Sequence, residues 1–344
     1  MKRSGADMLA RPRPEAPRAP TIVPVLCILA LGLALPLVLT SGFHIRLAML
    51  VWIYAILCMG FNLLYGYSGQ ISLGQPAFYA IGAYAFGMLQ VMLGWSPVLA
   101  FLGSLALVAV LSLLIGLPLL RLRTHYLAMA TLAFMLIQNG VANRWIEFTG
   151  GQSGIAVPPL QWGGEPIGRT GIYYIVLALA AAVLLLHDLL IRSHLGRAMQ
   201  AIRDDETAAQ ALGVRVTRYK LRVLVLSGVM AAVAGVCFGF TSLRVDPSLS
   251  EFHVLVSMLT IAVVGGLGTR FGPIVGAVIV VVLPQLLTQF GELETVVYGL
   301  FILLFLLFLP HGLAGVLERR DWFARRSSSP RMASRTRELE REPS

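Results

Sequence analysis

Few residues in this sequence are suited to covalent chemistry, and they are scattered. His44, His194, His253 and His311 stand singly near the ends of long apolar runs, where an interfacial imidazole needs no ligand role to explain it. No HExxH puts two histidines on one helical face, no GxSxG offers a nucleophile on a strained turn, and no carboxylates are paired within an apolar run. No GxxxxGK[ST] supplies the amides and lysine that cradle a nucleotide's phosphates, so if ATP drives this protein the motor is a separate subunit. Three features remain: two glycine-rich breaks in the apolar pattern, and one charged island.

The first break is Gly66-Tyr67-Ser68-Gly69-Gln70-Ile71-Ser72-Leu73-Gly74-Gln75-Pro76. The second is Gly265-Gly266-Leu267-Gly268-Thr269-Arg270-Phe271-Gly272-Pro273. In each, glycines lead to a proline at a helix start and then to a Gly-Ala pair, Gly82-Ala83 or Gly276-Ala277, which suggests an internal repeat with one copy per half. Lipid cannot satisfy free backbone groups, so broken helices at membrane depth must be buried in protein or line a cavity. Paired breaks in two halves point to a transport path. Ser68, Gln70, Ser72 and Gln75 would offer hydrogen bonds there without charge, with Gly69, Gly74, Gly265, Gly266 and Gly268 letting the backbone approach a solute. The alternative is a pair of water-side turns followed by small residues that let helices pack closely, as Gly82, Gly87 and Gly116 also would. Arg270 favours that alternative for the second break, because a lone guanidinium seeks water.

The charged island is Ile191 to Arg222, the longest polar segment between two apolar runs. Its Arg192, Arg197, Arg203, Arg215, Arg218, Lys220 and Arg222, against Asp204, Asp205 and Glu206, place it on the cytoplasmic side. Leu195, Met199 and Ile202 fall at i, i+4 and i+7, one apolar helical stripe. Asp205 can cap a second helix over Glu206 to Leu212, with Glu206 in the first turn facing the positive end of the helix dipole. Gly213 would end it, because only glycine enters the left-handed conformation there without a Cβ penalty.

The elements that must position these residues are membrane helices. A chain of 344 residues that is 57% hydrophobic and 13% charged, with mean hydropathy +0.78, is too apolar for a soluble globular protein. Its net charge of +10 sits in tails and loops, which suits anionic lipid headgroups and the topology rule rather than nucleic acid. Cys27, Cys58 and Cys237 all lie in apolar runs without CxxC spacing, so neither disulfides nor a metal site is expected. About ten transmembrane helices are predicted, at Thr21 to Thr40, Leu47 to Tyr65, Pro76 to Leu93, Pro97 to Leu120, Tyr126 to Val141, Ile172 to Leu190, Leu221 to Leu243, His253 to Val264, Pro273 to Phe290 and Thr295 to Leu309. The span from His253 is short for a full crossing. With both termini inside, all Lys/Arg except Arg46, Arg144, Arg169 and Arg244 are cytoplasmic. The chain then divides into a basic, proline-rich tail at 1–20, an all-α polytopic membrane domain at 21–310 containing the 191–222 loop, and a basic tail at 311–344. The first span lacks a small-x-small cleavage site and is expected to be a retained anchor. Asn143 to Thr170 is the longest outer loop, either a docking surface or a Gly/Pro connector.

Glu206-Thr207-Ala208-Ala209-Gln210-Ala211-Leu212-Gly213 resembles the E-A-A-x-x-x-G loop of ABC importer permeases. Gly66 to Tyr84, GYSGQISLGQPAFYAIGAY, resembles the signature of branched-chain amino acid ABC importer permeases, the LivH/LivM family. Tyr126 to Phe134 with Thr149-Gly150-Gly151 and Gly154, Ala201 to Asp204, and Val264 to Gly276 are similar to its M-type members in particular. Thr124-His125 departs from the pattern, where a glycine is expected before Tyr126. The resemblance covers about residues 45–315. It implies a partner LivH-like permease, two ATP-binding subunits, an external substrate-binding protein and an inner-membrane location. It implies no cofactor on this chain, with Arg203, Asp204, Glu206, Ala208, Ala209 and Gly213 in the segment that meets the ATPase. An ion-coupled carrier working through backbone carbonyls is the second reading, although spans nearly free of ionisable groups speak against it. An intramembrane enzyme is the third.

The topology makes a direct prediction. Single cysteines at Ser153 and Ser327 of a Cys-free variant should differ in labelling by an impermeant thiol reagent on intact cells, with only Ser153Cys reacting. Equal labelling would contradict the ten-span arrangement.

Overall fold

In a computed structural model the described residues are 22–38, 41–120, 122, 124–162, 164–287, 299, 300, 303, 312 and 313. Helices α1 (Ile22–Val38), α2 (Gly42–Phe61), α3 (Gln75–Val91), α4 (Pro97–Leu119) and α5 (Thr124–Arg144) fill the first part. After a short α6 (Ile146–Thr149) come α7 (Arg169–Arg192), α8 (His194–Asp204), α9 (Glu206–Ala211), α10 (Val216–Ser242), α11 (Phe252–Gly265) and α12 (Gly272–Leu287). Nine of the expected spans therefore have their helix. The tenth, Thr295 to Leu309, and the tails at 1–20 and 311–344 fall almost wholly outside the described residues.

Among the described residues, four helical stretches are long and apolar enough to cross a membrane, and their burial separates centre from rim. Within the apolar 18-residue core of each, 83% of residues are buried in Gly42–Tyr67 and 78% in Val216–Ser242, against 22% in Pro97–Leu119 and 33% in Arg169–Arg192. A helix apolar on every face is stable either inside a protein core or against lipid. The first two are therefore the bundle's centre, and α4 and α7 present Leu113, Leu114, Leu185 and Leu189 to its outside.

Small side chains hold the centre together, since lipid tails provide no hydrophobic drive between helices. On α10, Gly228, Ala231, Ala232, Ala234, Gly235 and Gly239 leave the backbone bare. A Cβ on Gly82 of α3 would lie 2.6 Å from Ala232 Cα, and one on Gly235 would strike the Tyr79 carbonyl. Ser227 donates to the Gly60 carbonyl at 2.7 Å, which ties α10 to α2. At the rim, Tyr173 of α7 donates to the Gly32 carbonyl of α1 at 2.7 Å and accepts from Trp52 of α2 at 3.2 Å.

The all-α expectation needs one small amendment. The 143–170 loop is not a bare connector: β1 (Ile155–Ala156) pairs antiparallel with β4 (Arg244–Val245), and β2 (Gln161–Trp162) with β3 (Glu165–Pro166). Arg244 Nε donates to the Ser153 carbonyl at 2.8 Å, and Asn139 to that of Pro247 at 2.8 Å. Thr124 and His125 open α5 directly, where the family pattern expects glycine.

Because Gly235 faces backbone, Gly235→Val should destabilise the bundle by about 1–3 kcal/mol through overpacking. Gly140→Ala, whose Cβ meets nothing within 4 Å, should not. Thermal unfolding of the two purified variants in detergent checks this, with a lower Tm expected only for the first.

Candidate functional site

The charged island folds into two capped helices. Ser193 Oγ accepts from the amides of Leu195 at 3.1 Å and Gly196 at 3.4 Å, which starts α8. The predicted stripe faces the bundle: Met199 and Ile202 are buried and Leu195 packs on the core. Asp205 Oδ1 accepts from Thr207 N at 2.8 Å and Ala208 N at 3.0 Å, so the expected cap of α9 is present. Gly213 follows that helix with φ +84°, a conformation that L side chains rarely adopt. Ala209 joins Ile202 and Val216 in a small second core beneath the loop, so α9 is held as a unit. Glu206 pairs with Lys220 Nζ at 2.7 Å. Leu212, which the sequence reading did not single out, is 85% exposed at the end of α9. An apolar side chain beside a helix-ending glycine was the available signal.

The first glycine break hangs from α2 through a π-helical turn, Asn62–Tyr67, and then runs without helix to Gly74. Ser68 Oγ donates to the Leu64 carbonyl at 2.6 Å, and Gln70 Nε2 donates to Ser68 Oγ at 3.0 Å and to the Lys220 carbonyl at 3.5 Å. Further on, Leu73 N donates to Thr131 Oγ1 at 2.9 Å, and Gln75 Nε2 donates to Ser227 Oγ. Lys220 and Ser227 are seven residues apart on α10, about 10 Å along the axis. The break therefore climbs from the loop end into the bundle, wrapped in protein as bilayer physics requires. Ser68, Gln70, Ser72 and Gln75 are all buried. Among the described residues, Gln70 Oε1, Ser72 Oγ and Gln75 Oε1 are buried without a hydrogen-bond partner.

The structure sorts the predicted path residues into two groups. Ser68, Gly69 and Gln70 open onto a cavity of about 220 Å³ under the loop, which Arg203, Asp204, Asp205, Glu206 and Lys220 also line. Ser72, Gly74 and Gln75 lie deeper, enclosed against α5 and α10. Gly265, Gly266 and Gly268 belong to the second break, which sits beside the first: Asn62 Nδ2 donates to the Thr269 carbonyl at 2.9 Å, and Asn62 Oδ1 accepts from Gly268 N at 2.8 Å. Arg203, in turn, donates to the Gly66 carbonyl. The expectation that Arg270 would seek water is corrected. Its Nε lies 2.6 Å from Asp188 Oδ1 with both side chains about 15% exposed, and its guanidinium stands 4.9 Å from the Phe271 ring centroid. Asp188 also holds Arg192 at 3.1 Å.

Residues 43–309 match the protein family described as branched-chain amino acid transport system, permease component. The chain belongs to that family. It is 33% identical over 316 residues to the high-affinity branched-chain amino acid transport system permease protein LivM of Escherichia coli K12, covering 84% of this chain and 74% of that one. To the LivH permease protein of the same system and strain it is 27% identical, over 76% of this chain and 91% of that one. To the permease protein BraD of Pseudomonas aeruginosa it is 26% identical, over 76% and 91%. No solved structure matches significantly. The family's members are transport permeases, so the enzyme and ion-carrier readings fall away. The chemistry this permease performs is accordingly one of hydrogen bonds and helix contacts rather than bond making.

Removing the cap should loosen α9 alone. Asp205→Ala is expected to cost about 1 kcal/mol of local helix stability. It should raise amide hydrogen exchange over Glu206–Ala211 while α8 and α10 keep wild-type protection.

Proposed function

We propose that this permease is one subunit of a binding-protein-dependent ABC importer of a bacterial inner membrane. In this reading it pairs with a LivH-like permease and two ATP-binding subunits, and it receives branched-chain or chemically related amino acids from an external binding protein. ATP is used by the partner subunits, and this chain binds no cofactor. Ten spans with both tails cytoplasmic put α8 and α9 at the ATPase face, and the 143–170 loop with its ribbons at the face the binding protein approaches.

The observation that carries the reading is the geometry of α8 and α9. Two short helices, each capped by a side chain, are fixed by burial of Met199 in the main core and of Ile202 and Ala209 in the small second one, with Leu212 exposed. A segment that must pass force needs this kind of local rigidity, because a frayed loop would absorb the displacement. Closure of the ATP-binding subunits pushes α9, and the spans tilt so that access alternates between the two faces. Ser68, Gln70, Ser72 and Gln75 supply the polar part of the path. Their partnerless oxygens support this, since buried acceptors without a bond cost about 1–3 kcal/mol each and a zwitterionic solute brings ammonium hydrogens to satisfy them.

In this mechanism Gly213→Val strains the end of α9 by about 1–2 kcal/mol or more. Glu206→Lys replaces an ion pair with repulsion against Lys220. Both variants should insert and pair with the partner permease but fail to move substrate. Uptake measured beside binding-protein-stimulated ATPase activity in reconstituted vesicles checks this. Full uptake and full stimulation in both would remove the loop from the coupling route.

A further inference from the structure

The contacts at the loop end close into a ring. From α8 the Arg203 guanidinium reaches the Gly66 carbonyl in the first glycine break. Gly66 shares the π-helical turn with Asn62, and Asn62 grips the second break on both sides of one peptide, accepting from Gly268 N and donating to the Thr269 carbonyl. The next residue, Arg270, pairs with Asp188 on α7 at 2.6 Å, and Asp188 also holds Arg192. Arg192 is followed by Ser193, the cap of α8. The circuit therefore returns to its starting helix, with α8 fastened to the second break at its beginning and to the first at its end.

Within this ring Asn62 is the residue with no substitute. It is 1% exposed and uses both ends of its amide, so it reads the position of the second break as a bidentate clamp. The fit is tight. A Cβ on Gly66 would lie 2.6 Å from Gly268 N, and Gly268 itself sits at φ +73° with Arg203 beside it. Glycines here let two backbones and one guanidinium meet at a single point. A π-helical turn on an otherwise regular helix, frequent at functional sites, is what turns the Asn62 amide toward that point.

We propose that Asn62 is a positioning residue of transport: it locks the two glycine breaks together so that displacement of α8 moves both halves of the permease at once. The proposal rests on the importer reading above, in which α8 and α9 receive the push. Without the clamp the two breaks are tied only through α8, the first by Arg203 and the second by way of Arg270, Asp188 and Arg192, so their relative position is no longer fixed and ATP is hydrolysed without a matching movement of the path.

The test uses the complete importer, with both permeases, both ATP-binding subunits and the binding protein, reconstituted in vesicles with leucine as probe substrate. Asn62→Leu removes both hydrogen bonds while keeping the branched shape and heavy-atom count of the side chain, and Arg203→Met opens the ring on the exposed helix without touching the bundle centre. Each is expected to lower leucine transported per ATP hydrolysed by about tenfold, within the range of coupling energies between sites. The double variant should lose no more than either single one, because a ring broken once is already open. Arg203→Lys, which keeps a cationic donor, should recover part of the loss; a residue that only stabilises the fold would instead lower complex yield and leave the ratio unchanged. If Asn62→Leu does not assemble, the Arg203 variants decide alone. A wild-type ratio in Arg203→Met, or losses that multiply in the double variant, would overturn the proposal while leaving the importer reading intact. Absence of ATP-driven uptake in the unmodified complex would overturn both.

Discussion

The bundle is arranged around one demand: a stretch of backbone that leaves the helical conformation at Ser68 must be enclosed by protein. Every unpaired amide and carbonyl between Ser68 and Gly74 would cost several kcal/mol in hydrocarbon. The surrounding elements supply partners and walls. Leu64 and Tyr65 accept from Gln70 and Gly69, Thr131 of α5 accepts from Leu73, and α10 contributes Ser227 and the Lys220 carbonyl. Bare glycine and alanine backbone on α3 and α10 then brings these helices close enough to shut lipid out.

Much of this arrangement was legible in the sequence, because the signals were local. The stripe Leu195, Met199, Ile202 requires one face of one helix, and Asp205 and Gly213 are residue types whose backbone preferences differ sharply from those of their neighbours. Apolar runs gave nine of the helices to within a few residues. The glycine breaks were visible as interruptions, and the pairing of Gly82 and Gly276 with following alanines marked close packing.

What the sequence did not display was pairing at long range. Asn62 lies inside an apolar helix, and nothing within ten residues hints that its amide spans to Thr269. Arg270 read as a water-seeking charge because Asp188, its partner, is 82 positions away in a different helix. The two ribbons were hidden for a related reason. Strands of two residues carry no periodicity, and the β1–β4 partners are about ninety residues apart. The path assignment also stayed coarse, since a polar residue at a helix break looks the same whether it lines an opening or braces a neighbour.

The 27 residues of α10 have a geometric consequence. A straight helix of that length measures about 40 Å, the full thickness of a bilayer with its headgroup regions. Its first turn belongs to the small core beneath α9, and at its far end the chain turns at Leu243, held at φ +57°, directly into the β4 strand. The helix is thus a stiff strut pinned at both ends. A strut so pinned carries motion along its whole length, so a displacement of the small core at one end reaches the β1–β4 ribbon at the other.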